Sequence, residues 1–226
     1  MSRPGLGITK LLDGIMKYRM KHQRNMLEQF QRVRDNPAPT AVFVTCVDSR
    51  VLPTRFTETN VGDMFIVRNA GNIVPHSSLV SSQAAATEPA VLELACVMNG
   101  VKHVVICGHS DCKAINLLYD LHTDAEQQQA ASFSPLRHWV SVHGRRTMHE
   151  FAKVGLVFGG LVLSPVCICF QLEAAQFRRP LLLNKLNKVS KFPAYVDVDE
   201  KFSITDKLSM VNTLLQVHLH LRHERE

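Results

Sequence analysis

The sequence AVFVTCVDSR at residues 41–50 leads from an apolar, β-prone segment directly into a thiol, a carboxylate and a guanidinium. Its first five residues have the composition of a buried strand, and a Leu-Pro pair just past the motif ends it. In open α/β sheets, ligands bind at the carboxyl ends of the strands. We therefore predict that Cys46, Asp48 and Arg50 lie at a site for binding or catalysis.

A second segment of the same form, VVICGHSDC, occupies residues 104–112. Its apolar start predicts another buried strand, and a histidine and a cysteine follow where that strand ends. If the two strands are neighbours in one parallel sheet, Cys46, His109 and Cys112 converge at one edge. Two sulfurs and one imidazole are a ligand set for zinc that leaves a fourth position open, whereas a structural zinc site usually shows paired C-x-x-C knuckles.

The segments between and after these motifs predict an α/β fold. Residues 64–67 are apolar and indicate a strand, which the loop at residues 68–72 follows. Thr87 is typical of a helix start, and Gly100 is typical of the end of that helix. A further helix is expected to begin at Cys112, where the helix dipole would favour a thiolate. This order predicts a parallel-sheet core flanked by helices.

Asp48 and Arg50 can supply what a zinc ion alone lacks. Two positions apart on an extended segment, they can lie on the same side, and Arg50 would hold Asp48 ionised and oriented. An ionised carboxylate only accepts hydrogen bonds, so Asp48 can accept a hydrogen bond from a zinc-bound hydroxide and orient it. Without Arg50, Asp48 could swing onto zinc and close the fourth position. Both residues are therefore candidate catalytic residues.

Other chemistries fit these residues less well. A cysteine followed by an arginine at the end of a strand is also found in phosphatase and sulfurtransferase loops, but Asp48 between the two would repel a phosphate. Cys96 and Cys107 are expected in the core. The remaining histidines considered are expected to be surface or capping residues: His76, His103, His122, His138, His143 and His149.

Composition limits the classes of partner. The 226 residues are 46% apolar, with a net charge of +6 and a pI near 9.1. The basic residues are spread along the chain without interleaved aromatic side chains, so we expect no nucleic acid partner. No apolar segment typical of a signal peptide occurs at the N-terminus, and the six cysteines do not suggest a disulfide framework, which favours a reducing compartment.

We predict one domain spanning residues 1–226. It comprises an N-terminal helical arm (8–40), a zinc-site core (41–150), an atypical apolar insertion (154–170) and a C-terminal part (185–226). The arm is amphipathic and basic, which fits a helix packed on the protein or on a partner subunit, and alternatively an organelle-targeting helix. The insertion is uncharged, but its glycines and proline make a transmembrane helix a poor interpretation, and we expect no membrane partner.

Together, the motifs at residues 46–50 and 108–112 resemble the paired signature of β-class carbonic anhydrases. Lys113 and the segment at residues 72–75 make the animal members of that family the most similar. The resemblance implies a Zn²⁺ cofactor on Cys46, His109 and Cys112, with Asp48 as an alternate fourth ligand. It implies the reversible hydration of carbon dioxide to bicarbonate and a proton by zinc-bound hydroxide, the carbonate dehydratase reaction of a lyase.

The resemblance also implies a homodimer in which the N-terminal helices wrap the partner, and a mitochondrial location, with a cytoplasmic one as the alternative. The chain departs from the family at residues 154–170, which resemble translated intron, and at 217–226, where the family would add its last sheet strands. We therefore expect the C-terminal sheet strands to be missing, with one sheet edge uncovered. A splice variant that binds zinc but is inactive or poorly folded is the alternative function.

Overall fold

A computed structural model describes residues 6–76, 86–124, 134–157, 168–173 and 203–218. Within these ranges the helices and strands follow one another in chain order. They are α1 (Leu6–Lys21), α2 (Gln23–Asp35), β1 (Ala41–Cys46), α3 (Pro53–Phe56), β2 (Met64–Asn69), α4 (Thr87–Leu92), a π-helical segment (Glu93–Met98), β3 (His103–Gly108), α5 (Lys113–Thr123), α6 (Pro135–His143), α7 (Arg145–Val157), β4 (Ile168–Glu173) and α8 (Ile204–His218).

The strands form a four-stranded sheet in the order β2-β1-β3-β4. Strand β1 pairs in parallel with β2 and with β3, and β4 runs antiparallel to β3. The predicted α/β class, with a parallel core flanked by helices, is confirmed. Strand β2 extends two residues further than predicted, because Arg68 and Asn69 continue the pairing opposite Thr45 and Cys46.

Local sequence signals account for several boundaries. Cys112 is extended immediately before α5, so this helix begins where the sequence predicted, and Ser203 directly precedes α8. The helix that begins at Thr87 continues as the π-helical segment, and Gly100, with φ +67°, adopts the left-handed conformation that ends it. Gly62 has φ +89°. A Cβ atom at this position would lie 2.6 Å from Cγ1 of Val33, so α2 packs closely against this turn.

The buried side chains form two clusters. One lies between the parallel strands and the α4 region and includes Val44, Ile106 and Cys96. The other lies under α5, α6 and α8 and includes Cys46 and Cys112. Cys96 and Cys107 are therefore in the interior, as predicted, and Cys107 also takes part in a disulfide bond, which was not predicted.

The secondary structure of the apolar run at residues 154–170 differs in part from the predicted insertion. Its beginning lies in α7, and its last three residues lie in β4, which pairs with β3 and forms an outer strand of the sheet. No sequence signal had indicated this strand. Residues 158–167 lie outside the described part of the chain. Among the described helices, none combines the length and the apolar character needed to cross a bilayer.

Gly108, at the end of β3, is a sensitive point of the packing between the sheet and α8. A Cβ atom there would lie 2.0 Å from Oγ1 of Thr213. We expect Gly108→Ala to displace α8 and to lower the free energy of unfolding by about 1–3 kcal/mol, as overpacking does. Thermal or urea denaturation measures this loss. Adding Thr213→Ala should restore part of it, and two strictly additive losses would contradict the predicted clash.

Candidate metal centre

The pairing of β1 with β3 brings three candidate ligands together. Thr45 lies opposite Cys107 in the parallel register, so the residues that follow the two strands leave the same edge of the sheet. The ligand atoms of Cys46, His109 and Cys112 all lie within 4.8 Å of one another, and the two sulfur atoms are 3.8 Å apart. Both cysteines are buried and His109 is half-buried. The predicted convergence is therefore present.

The unpaired atoms of this cluster fit a metal ion. Nδ1 of His109 lies 2.8 Å from the carbonyl oxygen of Ser110, so a proton on Nδ1 is donated there and the lone pair of Nε2 stays available. Nε2 is buried and has no hydrogen-bond partner. A buried polar atom without a partner is costly unless something binds it. With two sulfurs beside it, this atom completes a donor set suited to zinc.

The two thiols differ in acidity in the metal-free protein. A hydrogen bond from Cys112 lowers the pKa of Cys46 to about 4, against the opposing effect of burial. The pKa of Cys112 is raised because its thiol donates this hydrogen bond and is buried. The expectation that the start of α5 favours a thiolate on Cys112 holds in direction, but it does not decide which of the two thiols ionises first. The backbone N–H groups at the start of α5 do lower the pKa of Cys112, but the neighbouring Cys46 thiolate has the larger effect.

His109 titrates under opposing influences. Burial lowers its pKa, whereas the nearby Cys46 thiolate raises it, and the raising effects are the larger. The thiolate of Cys46 and the imidazole of His109 thus stabilise each other electrostatically. A zinc ion would replace the protons that these side chains share.

Asp48 and Arg50 form the pair that the sequence predicted. Oδ1 of Asp48 accepts hydrogen bonds from the backbone N–H and Nε of Arg50 at 2.9 and 3.0 Å, and Oδ2 accepts one from Nη2 at 2.8 Å. These bonds hold the pKa of Asp48 well below its usual range. The side chain of Asp48 is 14% exposed, against 55% for Arg50. Asp48 is therefore an ionised, oriented hydrogen-bond acceptor beside the cluster.

Asp111 is a part of the site to which sequence reasoning gave no role. Arg50 donates from Nη2 to the Asp111 carbonyl oxygen at 2.9 Å and from Nη1 to its carboxylate at 3.3 Å. Asp111 has φ +49°, a left-handed conformation that is uncommon outside glycine. Lys113 hydrogen-bonds its carboxylate and lowers its pKa. Its position between two predicted ligands was the available signal.

Arg68, from β2, was also missed. Its Nε donates to the carbonyl oxygen of Cys46 at 3.0 Å, and its Nη2 donates to that of Asp48 at 2.7 Å. One guanidinium therefore spans the turn that carries the first ligand and the candidate catalytic carboxylate. The register of β2 against β1 places it there, and the sequence alone did not reveal that register.

Helix α8 presents a buried polar face to the loop at residues 69–74. Asn212 donates to the carbonyl oxygen of Gly71 at 2.9 Å, and Gln216 accepts a hydrogen bond from the backbone N–H of Val74 at 2.8 Å. Thr213 accepts one from Asn72, which has φ +47°. In the sequence these polar residues look like an ordinary exposed helix face.

The other residues that we excluded from the ligand set lie apart from it. Among the described residues, only Cys46, His109 and Cys112 form a group suited to a metal ion. Burial raises the pKa of Cys96 to about 11, as expected for a core thiol. His143 differs from the predicted surface histidine, because its ring packs against Trp139 at 4.4 Å and its Nδ1 is buried. Burial lowers its pKa.

The pKa shifts of Cys46, Cys112 and His109 predict how many protons are released when zinc binds. At pH 7 we expect zinc binding to release about one proton from Cys112 and a further fraction from His109, because Cys46 is already ionised. Lower pH should weaken binding, since protons then compete with the metal. Calorimetry in buffers of different ionisation enthalpy measures the release. Cys96→Ser should release the same number, and a release of zero or of about three protons would contradict this charge distribution.

Comparison with known proteins gives a consistent family. A family model described as carbonic anhydrase matches residues 41–154. Beta carbonic anhydrase 1 of Caenorhabditis elegans is 40% identical over 213 residues, which cover 93% of this chain and 72% of that protein. The Caenorhabditis briggsae protein of the same name is 39% identical over the same coverage.

Two solved structures share the fold. The β-carbonic anhydrase CcaA superposes with a TM-score of 0.54 at 28% identity, over 69% of this chain and 66% of that one. The Coccomyxa β-carbonic anhydrase, solved in complex with acetazolamide, has a TM-score of 0.50 at 24% identity, over 65% of this chain and 59% of that one. The present chain thus spans less than two thirds of either solved chain, and the second likeness concerns the fold alone.

Proposed function

The chain belongs to the β-class carbonic anhydrase family, and from this premise we propose that it hydrates carbon dioxide reversibly to bicarbonate and a proton, with a zinc ion held by Cys46, His109 and Cys112. Carbonic anhydrases are lyases. The observation that carries the proposal is the cluster itself, in which two buried sulfurs and the unpartnered Nε2 of His109 lie within 4.8 Å of one another.

Zinc, when bound, supplies a Lewis acid that lowers the pKa of a coordinated water, less far with two thiolate ligands than with three neutral imidazoles. The protein supplies the rest. Asp48 accepts a hydrogen bond from the attacking water and turns an oxygen lone pair towards carbon dioxide. Arg50 keeps Asp48 ionised, because its three hydrogen bonds favour the charged carboxylate.

Arg50 has a second task in this proposal. Both oxygens of Asp48 are engaged by Arg50, and this engagement opposes movement of the carboxylate onto the metal. The alternate fourth ligand predicted for a resting form therefore requires Asp48 to leave Arg50. Bidentate guanidinium–carboxylate pairs are among the stronger and better oriented side-chain hydrogen bonds, so Arg50 would favour the open form.

Stopped-flow hydration of carbon dioxide by the purified, zinc-loaded protein tests this function. We expect kcat to rise from pH 7 towards pH 9, because the two thiolates leave the coordinated water less acidic. A profile that is flat from pH 6 to 9 would count against the proposed ligand charge. A protein that binds zinc stoichiometrically but shows no hydration above the buffer rate would instead be the inactive relative.

The N-terminal arm supports a homodimer as part of the proposal. Apolar side chains along α1, among them Ile8, Leu11, Leu12 and Ile15, are each more than half exposed in the single chain. An apolar stripe of this kind usually marks a protein contact. A second copy of the chain is the partner proposed here. Sedimentation equilibrium should give about twice the 25.4 kDa chain mass, and a monomer at micromolar concentration would exclude the dimer.

A mitochondrial location is likewise proposed, on the basis of the basic, amphipathic segment at residues 8–34. Imaging of the full chain with a C-terminal fluorescent fusion tests it. Removal of residues 1–34 should redistribute the signal to the cytoplasm. Signal in the cytoplasm before removal would overturn the proposal in favour of the alternative.

A further inference from the structure

We propose that Asp206, in the first turn of α8, is a positioning residue for the Asp48–Arg50 pair. Oδ1 of Asp206 accepts a hydrogen bond of 2.6 Å from the backbone N–H of Asp111. The two residues are 95 positions apart in the chain. Asp206 touches none of the three candidate ligands through this bond. The peptide that it holds contains the N–H of Asp111 and the carbonyl oxygen of Ser110, which lies 2.8 Å from Nδ1 of His109, and the route proposed here is the one through Asp111. The inference rests on the proposed function, in which Asp48 acts on the reacting water.

Asp111 is a position that needs such support. Its backbone φ of +49° is in the left-handed region, which residues with a Cβ atom seldom adopt without a fixed partner. A carboxylate that accepts a backbone N–H forms a charge-assisted hydrogen bond, which is stronger than a neutral one. Asp206 therefore fixes the N–H of Asp111, and with it the backbone position from which the Asp111 carbonyl, in the following peptide, and the Asp111 carboxylate reach Arg50.

Arg50 then transmits this orientation to Asp48. Its Nη2 is shared between the Asp111 carbonyl oxygen at 2.9 Å and Asp48 Oδ2 at 2.8 Å, and its Nη1 lies 3.3 Å from the Asp111 carboxylate. The planar guanidinium can hydrogen-bond Asp48 and Asp111 at the same time only while these two residues keep their relative positions. If Asp111 is no longer held in place, Arg50 keeps its hydrogen bonds to Asp48 but loses its fixed contacts with Asp111. The Asp48–Arg50 pair can then rotate towards solvent.

Helix α8 is well placed to act as the support. Its buried polar side chains bind the loop at residues 69–74, and Oγ1 of Thr213 faces Gly108 so closely that a Cβ atom would not fit. Asp206 itself is fixed by Ser203, whose hydroxyl donates to Oδ2 of Asp206 at 2.8 Å and accepts from its backbone N–H at 3.1 Å. This reciprocal pairing leaves Oδ1 free for Asp111.

Three variants of the full-length, zinc-loaded protein separate positioning from helix stability. Asp206→Ala removes both the helix-capping contact and the acceptor for Asp111. Ser203→Ala removes the capping contact and the hydroxyl bond to Oδ2 of Asp206, but leaves the carboxylate that accepts from Asp111. Asp206→Asn keeps an acceptor oxygen at the same place. We expect Asp206→Ala to lower kcat by on the order of tenfold with KM nearly unchanged. We expect Ser203→Ala to lower Tm similarly but kcat by less than about threefold, and Asp206→Asn to recover most of kcat.

A second measurement reports the mechanism without using activity. In arginine-labelled, zinc-free protein, the Nη–H resonances of Arg50, assigned by their loss in Arg50→Lys, should be dispersed in wild type and in Ser203→Ala, because Nη1 and Nη2 contact Asp111. In Asp206→Ala they should shift towards the position of free arginine, whereas the Nε–H resonance, which reports the bond to Asp48, should stay in place. Because this readout needs no turnover, it stands even if the protein hydrates no carbon dioxide. Unchanged Nη–H resonances of Arg50 in Asp206→Ala would overturn the inference.

Non-additivity supplies the last test. If Asp206 acts through Arg50, the loss of kcat caused by Asp206→Ala should largely vanish in an Arg50→Ala background. Fully additive losses would show that Asp206 serves the stability of the fold alone, and would overturn the positioning role. The double variant is compared with Ser203→Ala in the same background, whose effect on Tm should be retained.

Discussion

Replacing Cys46 or Cys112 by serine is expected to abolish stoichiometric zinc binding and to lower carbon dioxide hydration by roughly a thousandfold or more, because the metal supplies the Lewis acid of the reaction. A serine hydroxyl ionises far less readily than a thiol and is a much poorer ligand for zinc. The two sulfurs are 3.8 Å apart, so each substitution also removes the hydrogen bond between the thiols in the metal-free protein. Metal content per chain and stopped-flow hydration are the two measurements.

Cys96→Ser is the matched control for these variants. Cys96 is also a buried, free thiol, but it lies in the other core cluster and its pKa of about 11 reflects burial alone. The Cys96→Ser protein should be less stable, because the substitution buries a hydroxyl at a site that provides no hydrogen-bond partner for it. It should still bind zinc and hydrate carbon dioxide. If Cys46→Ser keeps one zinc per folded chain, or if Cys96→Ser loses it, the ligand assignment is wrong. Circular dichroism establishes that each variant is folded.

The ligand cluster was predictable because it depends on a rule about parallel sheets. Two apolar strands that each end in a chemically reactive motif must bring those motifs to one edge if they are neighbours, and β1 and β3 are neighbours. The Asp48–Arg50 pair was predictable for a still simpler reason. Its members are two residues apart, so contact between them needs no long-range pairing. The segment is not extended as predicted, because the backbone N–H of Val51 donates to the Asp48 carbonyl oxygen and closes a turn.

The supporting contacts could not be predicted in the same way. Arg68 reaches Cys46 and Asp48 only because β2 pairs with β1 in one particular register. Asn212 and Gln216 bind a loop that is about 140 residues earlier in the chain. No local pattern distinguishes such buried polar residues from a solvated helix face, since the spacing on the helix is the same in both cases.

Two features of the structure go beyond the sequence expectations for identifiable physical reasons. The start of α5 favours a thiolate on Cys112, as predicted, but a neighbouring thiolate 3.8 Å away opposes a second negative charge more strongly. No strand was expected in the apolar run, but its end provides β4, which pairs with β3. Its charge-free character had indicated an insertion, and the same character suits a strand that pairs with β3.

Asp48→Asn is expected to lower kcat for carbon dioxide hydration by about a hundredfold or more, because losing a group that orients a reactant costs on that order. The amide keeps the shape of the side chain but replaces one acceptor oxygen with an N–H donor. That donor would face either Arg50 or the reacting water, and both partners require an acceptor. Zinc content should stay at one per chain, because Asp48 is outside the cluster of three ligand atoms.

The pH dependence separates this role from an effect on the metal. Three hydrogen bonds from Arg50 hold the pKa of Asp48 well below its usual range, so the carboxylate is ionised at every pH of the assay. Asp48→Asn should therefore lower the alkaline plateau of kcat while leaving the midpoint of the rise almost in place. A midpoint that moves by more than about one pH unit would assign the titration to Asp48, and a loss of zinc would make Asp48 a ligand.

Arg50→Ala is the companion variant. It should lower the plateau less than Asp48→Asn if Asp48 keeps its acceptor role, and equally if the carboxylate has moved onto the metal.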